Sequence, residues 1–103
     1  MVKASFCIRE DSASFTVKGH SGFADIGDDI VCASVSSAVY MTVNTLTEIF
    51  GVKDTSEVKD GYLHFTVSGN ETARDIIKGL KLHLTELAKD YPDYVTVTHR
   101  RCK

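Results

Sequence analysis

Two short segments near the start of the chain alternate between apolar and polar residues. The apolar members are Val2, Ala4, Phe6 and Ile8 in the first segment and Phe15 and Val17 in the second. A period of two is typical of β-strands that bury one face. The turn-forming stretch Glu-Asp-Ser-Ala at residues 10–13 separates the two segments. The pattern therefore predicts a β-hairpin that ends at Gly19.

The pattern changes to helical spacing after a loop that we expect over residues 20–27. Val31, Val35, Val39, Thr42, Leu46 and Ile49 share one face of a predicted helix that runs to about Phe50. Asp28 or Asp29 is suited to cap its start, and Gly51 its end. The helix is rich in β-branched and hydroxyl residues, which form helices only moderately well. We therefore expect burial to stabilise it, at the centre of the fold.

The second half of the chain predicts another hairpin, a second helix and a last strand. Asp60-Gly61 is a strong hairpin turn signal, with Val58 before it and the alternating Leu63, Phe65 and Val67 after it. Asn70 can cap a second helix, which Pro92 must end. The apolar stripe of this helix consists of Ala73, Ile76, Ile77, Leu80, Leu84, Leu87 and Ala88. Val95 and Val97 predict a last strand.

The resulting order is β-β-α-β-β-α-β, which predicts an α+β fold. Because strands and helices do not alternate regularly, we expect one sheet with both helices on one face. A chain of 103 residues is typical of a single domain, here residues 1–103, and 43% hydrophobic residues suffice for one core.

Charge and hydropathy exclude several classes of protein. The net charge is −2, and the short segment His99–Lys103 is the only basic cluster, so we predict no direct binding of nucleic acid. The N-terminus has no apolar run of signal-peptide length, and no stretch approaches the ~20 apolar residues of a membrane span. We therefore predict a cytoplasmic protein that does not contact a membrane.

The chain has three cysteines, Cys7, Cys32 and Cys102. An odd number in a reducing compartment does not indicate a disulfide framework, and no Cys-x-x-Cys pair is present. His20, Asp25, Asp28, Asp29 and Cys32 lack a recognisable metal-ligand spacing. We predict neither a metal nor another cofactor.

Cys32 is the best candidate nucleophile, because it lies near the predicted start of a helix. To be mostly thiolate at neutral pH, an ordinary cysteine needs its pKa lowered by about two units, or about 2.7 kcal/mol. A helix N-terminus supplies only ~0.3–1 kcal/mol, and the nearby Asp28 and Asp29 oppose a further anion. A cationic or basic partner is therefore required, and His20 is the nearest candidate in sequence.

Simpler interpretations of the same residues stay open. A single cysteine near a helix start is usually a small packing residue, and a single histidine after a strand usually makes a local hydrogen bond. Asp28 and Asp29 can act only as caps, and Gly22 and Gly27 only as turn residues.

The segment from Gly19 to Ser36 resembles the signature of the ribosomal-processing cysteine protease family, Prp. The matching positions are Gly19-His20, Ser21, Phe23, Ala24, Gly27, Asp29-Ile30-Val31-Cys32-Ala33 and Ser36. Ser21 replaces the usual alanine, and Phe23 replaces a frequent tyrosine. Neither departure affects the histidine or the cysteine.

The resemblance implies a bacterial, cytoplasmic, homodimeric cysteine endopeptidase. Such enzymes remove a short N-terminal extension from a large-subunit ribosomal protein. The family's catalytic residues fall on Cys32 and His20, and its motif aspartate and serine on Asp29 and Ser36. Because the family's targets carry paired phenylalanines before the cut, we expect an apolar pocket near Cys32.

The residues themselves suggest further roles. Asp29 can either cap the helix or orient His20, and Ser36 lies one helical turn beyond Cys32 on the same face. The loop with Gly22, Phe23 and Gly27, hinged at its two glycines, can close over a bound peptide.

Two other functions remain possible from the sequence. The first is a non-catalytic ribosome-assembly or protein-binding module in which Cys32 only packs. The second is a thiol redox sensor, which needs Cys7 or Cys102 as a resolving cysteine close to Cys32.

Overall fold

Five strands form one sheet, and two helices cover one of its faces. The computed structural model describes residues 1–19 and 26–100, and for residues 26–29 it describes the backbone alone. The elements are β1 (Val2–Ile8), β2 (Ala13–Lys18), α1 (Ile26–Asn44), β3 (Thr55–Lys59), β4 (Tyr62–Val67), α2 (Glu71–Asp90) and β5 (Val95–His99). The predicted α+β class, the element order and the single sheet with its helices on one face are confirmed.

The strand order is β3-β4-β2-β1-β5, with β1 and β5 parallel and the other neighbours antiparallel. In this register Phe6 is opposite Phe15, and Phe15 is opposite Phe65. Their rings stack across the three central strands with centroids 5.7 Å apart, and all three are fully buried. This aromatic row is the floor on which both helices pack.

Local signals set most element ends as expected. The Asn70 side chain accepts a hydrogen bond from the Ala73 backbone N–H at 2.9 Å, so it caps α2. Gly61 has a φ of +69° in the β3–β4 turn, and α2 ends just before Pro92. After α1 the chain makes one π-helical turn, Thr45–Ile49, and leaves the helix through Gly51 at a φ of +61°.

The start of α1 differs from the prediction. The helix begins at Ile26, so Asp28 and Asp29 lie inside its first turn and are not its caps. The physical reason is that acidic residues are favourable both at a cap and in the first turn, where the helix dipole attracts them. The sequence pattern could not separate the two positions.

The expectation that α1 occupies the centre of the fold is wrong. Val31, Val35, Val39 and Leu46 are buried against the sheet, but the opposite side of the helix is uncovered, and Met41 is 72% exposed. The reason is that the two helices form a single layer, so each has only one covered side.

The prediction that no segment is long and apolar enough to span a membrane is also wrong, because α1 has apolar residues on its uncovered side. The segment Ile30–Ile49 is long and apolar enough to cross a membrane by length and composition, with a mean hydropathy of 1.3. A helix that contributes to the core of a folded domain passes the same test. Here the buried stripe belongs to the core over the sheet.

Candidate active site

Cys32 is the seventh residue of α1 and lies in its second turn. It follows the buried Val31 and is itself half-buried. Ser36, also half-buried, is one turn further along, which places it about 6 Å from Cys32 along the helix axis at 1.5 Å per residue. The two residues therefore form a short polar stripe beside the buried face of α1.

The position of Cys32 weakens the expected contribution of the helix to a thiolate. The unpaired backbone N–H groups belong to the first four residues, 26–29, and the dipole effect declines within the first turn. A sulfur in the second turn therefore gains less than the ~0.3–1 kcal/mol of a terminal position. A partner with a positive charge becomes a stronger requirement than the sequence suggested.

A groove runs between α1 and the β3–β4 hairpin and begins next to this stripe. It encloses about 180 Å³, and Val17, Val35, Ser36, Val39, Tyr40 and residues 58–63 line it. The walls are mainly apolar, with Ser36 on the helix side. A cavity smaller than the ~300–1,000 Å³ of typical small-molecule sites suits one or two side chains of a peptide. An apolar pocket was expected near Cys32; this groove is lined by Ser36, one turn further along α1, and not by Cys32 itself.

Gly19 fixes the chain that leads into the motif histidine. Its backbone N–H donates to the Gly61 carbonyl at 3.0 Å, and Gly61 lines the groove. Gly19 has a φ of +94°, and a Cβ at this position would overlap the Met1 carbonyl oxygen. Only glycine satisfies both constraints. Gly19, which precedes His20, is thus held close to the groove that begins at the Cys32–Ser36 stripe.

Several predicted site residues cannot be placed beside Cys32. His20, Gly22 and Phe23 lie outside the described residues. Asp29 and Gly27 are described by their backbone, which belongs to the first turn of α1. Gly27, predicted as a loop hinge, thus belongs to the helix, and Asp29 is not a cap, because the helix starts before both.

The β3–β4 hairpin contributes to this groove, which was not predicted from the sequence. Its turn, from Val58 to Leu63, forms one wall of the groove. The Asp60-Gly61 signal predicted the turn itself, but nothing local in the sequence indicates that it meets α1 and Gly19.

Cys7 lies on the other face of the sheet. Its side chain is on the face of β1 opposite to the buried Ala4 and Phe6. It borders a depression together with Ser14, His64 and Thr66. The sheet therefore separates it from α1 and from Cys32. Cys7 is also disulfide-bonded, which the cysteine count did not lead us to expect. It cannot be the resolving cysteine of a redox pair with Cys32, and Cys102 lies outside the described residues.

No group of three or more potential metal ligands occurs among residues 1–19 and 26–100. The imidazole ring of His64 is hydrogen-bonded to two hydroxyl groups, that of Thr16 at 2.7 Å and that of Thr66 at 3.1 Å.

Comparison with known proteins identifies related chains over nearly the whole length. Residues 1–96 match the family described as cysteine protease Prp. A protein of Bacillus subtilis, the ribosomal processing cysteine protease Prp, is 30% identical in an alignment covering 82% of this chain and 83% of the relative.

Solved structures show the same fold. The essential ribosomal processing protease Prp of S. aureus, in complex with a substrate peptide, aligns with a TM-score of 0.87 and 18% identity over 97% of this chain and 100% of the other. SMU.848 from Streptococcus mutans aligns with a TM-score of 0.77 and 26% identity over 99% and 96% of the two chains.

The Gly19 constraint makes a prediction about the approach to the site. Gly19→Ala should lower the free energy of unfolding by more than the ~1–2 kcal/mol of left-handed strain, because it adds a clash with the Met1 carbonyl. It should also reduce peptide cleavage by displacing the residue that follows. Chemical denaturation and a cleavage assay measure the two effects.

Gly69→Ala is the matched control, since Gly69 has a φ of +69° with open space around the added Cβ. It should show the strain alone and keep full cleavage. Equal stability losses in the two variants, with unchanged cleavage in both, would contradict the role given to Gly19.

Proposed function

The chain belongs to the cysteine protease Prp family, and from this premise we propose that it removes the N-terminal extension of a large-subunit ribosomal protein. It is a cysteine protease; the proposal concerns its substrate and the residues that act. The observation that carries the proposal is that Ser36, one helical turn from Cys32, and Gly61, which holds Gly19, line the same apolar groove.

In the proposed reaction the Cys32 sulfur attacks the carbonyl carbon before the scissile bond. His20 accepts the thiol proton and returns it to the leaving amine, so that a thioester forms and the C–N bond breaks. Water then attacks the thioester, with His20 as base, and releases the peptide acid and the thiol. This division of roles follows from the small contribution of the helix to the thiolate.

The groove is the proposed binding site for the side chains before the cut. Val17, Val35 and Val39 give it an apolar floor, and Tyr40 adds an aromatic ring at its edge. Phenylalanine side chains, which the family resemblance implies, fit such walls because burial of apolar surface stabilises them by ~25 cal/mol per Å².

Asp29 and Ser36 have supporting roles in this proposal. Since α1 begins at Ile26, a cap role no longer competes for Asp29, and we assign it the orientation of His20. Ser36 lines the groove and faces the bound peptide. The loop with Gly22 and Phe23 covers that peptide.

The alternative, a non-catalytic ribosome-assembly or protein-binding module, is not favoured. The family is one of cysteine proteases, and a packing role would not require the Cys32–Ser36 stripe to border a groove.

We further propose a cytoplasmic homodimer, in agreement with the family resemblance. The uncovered side of α1 supports a partner, because Tyr40 and Met41 are 57% and 72% exposed. A second groove, between α1 and α2, is lined by small residues such as Ala33 and Ser37 that permit close approach of another helix.

The reaction is tested with the extended ribosomal protein of the same organism. Wild-type protein should shorten it at a single site, and Cys32→Ala should not, because the nucleophile is lost while alanine suits a helix. Mass spectrometry of the product and a thermal melt of each variant provide the readouts.

Ser34→Ala is the control in the same helix turn. Like Cys32→Ala, this change removes one side-chain atom. The Ser34 hydroxyl donates to the Ile30 carbonyl at 3.0 Å and has no role in the proposed reaction, so the variant should keep cleavage. Cleavage by Cys32→Ala at the wild-type rate would exclude Cys32 as the nucleophile.

Asp29→Asn tests the orienting role. We expect kcat/KM to fall by ~10²-fold or more, as for a disturbed general base, with the melting temperature nearly unchanged. Asp28→Asn makes the same change of charge in the same helix turn and should keep most activity. Equal activities of the two variants would show that Asp29 does not orient His20.

The dimer is tested by light scattering during gel filtration. Wild-type protein should have about twice the 11.3 kDa chain mass, and Met41→Lys should approach the mass of one chain. Leu82→Lys, at a residue 64% exposed on α2, is the control and should remain dimeric. A monomeric wild-type protein at micromolar concentration would contradict the proposal.

A further inference from the structure

The face of the sheet opposite the helices carries an excess of positive charge. We call this surface, formed by the outward-facing residues of all five strands and by Arg9 and Arg100 directly after β1 and β5, the open face. Its five cationic side chains are Lys3, Arg9, Lys18, Lys59 and Arg100, and all five residues are exposed. Among the described residues of the strands, Glu57 is the single carboxylate on this face. The chain as a whole has a net charge of −2, so charge is segregated between its two sides.

The strand register shows that these cations share one face. Lys3 is opposite Lys18, Lys18 is opposite Tyr62, and Tyr62 is opposite Lys59. The Lys18 and Lys59 ammonium groups lie 5.8 and 5.7 Å from the centroid of the Tyr62 ring. These side chains form one cationic row across four strands.

Arg9 and Arg100 form a second cationic group towards the opposite end of β1. They border a depression together with Ser14, His64 and Thr66. The Arg100 backbone N–H donates to the Phe6 carbonyl at 2.7 Å, which holds that residue beside β1. Along β1, Lys3 is four residues from Cys7, which borders the same depression, and six residues from Arg9, so the row and this group are about 13–20 Å apart at ~3.3 Å per residue.

Hydroxyl groups fill the space between the two cationic groups. Ser5 is opposite Thr16 and Thr98, and Thr16 is opposite His64. A second depression on this surface, about 210 Å³, is bordered by Lys3, Ser5, Thr16, Lys18, Thr96 and Thr98. Arginine, lysine, serine and threonine are the side chains that make most contacts with the phosphates and sugars of nucleic acids.

We propose that the open face binds single-stranded nucleic acid through its phosphate backbone. Two cationic groups separated by hydroxyls fit an extended chain of regularly spaced anions better than a single phosphate. The Tyr62 ring lies between two ammonium groups, so contacts to phosphates rather than base stacking dominate. If the substrate is a ribosomal protein, as proposed above, RNA is the polynucleotide that it brings to the enzyme.

The net charge of −2 does not reveal this basic surface, because most of the carboxylates lie elsewhere in the chain. The turns hold further carboxylates, Glu10 and Asp11 after β1 and Asp60 after β3. The carbonyls of Glu10 and Asp11 bind Arg74 and Asn70 at the start of α2, which ties that turn to the helix side. A net charge summed over the whole chain therefore does not show that an acidic protein has one basic face.

Glu57 limits the charge of the row and provides a sharp test. Its carboxylate accepts from the Lys59 ammonium at 2.9 Å, and this hydrogen bond lowers the pKa of Glu57 and raises the pKa of Lys59. Both groups stay charged at neutral pH, so Lys59 is partly neutralised. Removal of the carboxylate should make Lys59 available to a phosphate.

The experiment measures binding of a fluorescent oligouridylate of about 20 nucleotides, longer than the ~4–16 nucleotides that a small domain usually covers. Fluorescence anisotropy over a range of salt concentrations should give a plot of log K against log salt with a slope near −3, since each single-strand phosphate contact contributes about −0.7. Lys3→Ala with Arg100→Ala should reduce the magnitude of this slope by about 1.4, to about −1.6, and weaken binding about tenfold at low salt. Glu57→Gln should strengthen binding several-fold.

Lys78→Ala with Lys89→Ala removes the same charge from the exposed side of α2 and should leave binding nearly unchanged. Peptide cleavage by the two double variants should equal that of the wild type, so the result is independent of the proposed protease substrate. Absence of binding at low salt, an equal loss in the α2 variant, or equally tight binding of polyglutamate would each overturn the proposal.

Discussion

Alternate side chains of every strand point to opposite faces of the sheet, and both helices cover only one of those faces. This constraint decides where each kind of chemistry can lie. The covered face takes the Phe6–Phe15–Phe65 row and the buried stripes of α1 and α2. The open face carries the exposed Lys3, Lys18 and Lys59, and the half-buried His64 hydrogen-bonded to the buried Thr16 hydroxyl. Cys32 belongs to the covered side and Cys7 to the open side, whereas Lys59 and Tyr62 of the β3–β4 hairpin border both the groove and the basic surface.

The protease site depends on where α1 begins. A start at Ile26 moves Cys32 into the second turn, where the helix dipole and unpaired N–H groups have little effect. The proposed thiolate must therefore be stabilised from outside the helix. Gly19, held by Gly61 and excluded from carrying a side chain by Met1, anchors the segment that leads to His20 beside the same groove. Backbone constraints, rather than the helix end, therefore position the chain that enters the motif.

Much of the fold follows from local sequence signals. Asp60-Gly61, Asn70 and Pro92 each act within a few residues, and the structure places a turn, a cap and a helix end at those positions. The start of α1 was misplaced because aspartate is favourable both before and inside a first turn. The motif identified Cys32, but the groove depends on contact between residues 58–63 and α1, which no local pattern reveals. The basic face was not predicted because a net charge does not say where in the fold the charged residues lie.

The central claim is that His20, rather than the helix, makes Cys32 reactive. The most direct test is the pKa of the Cys32 thiol, from the ultraviolet absorbance of its thiolate against pH with a non-cleavable peptide bound and Cys32→Ala subtracted. The account predicts a pKa well below about 8.5 in the wild type and a return to about 8.5 in His20→Ala. A pKa that is equally low in His20→Ala would contradict it, because the helix and its surroundings would then suffice.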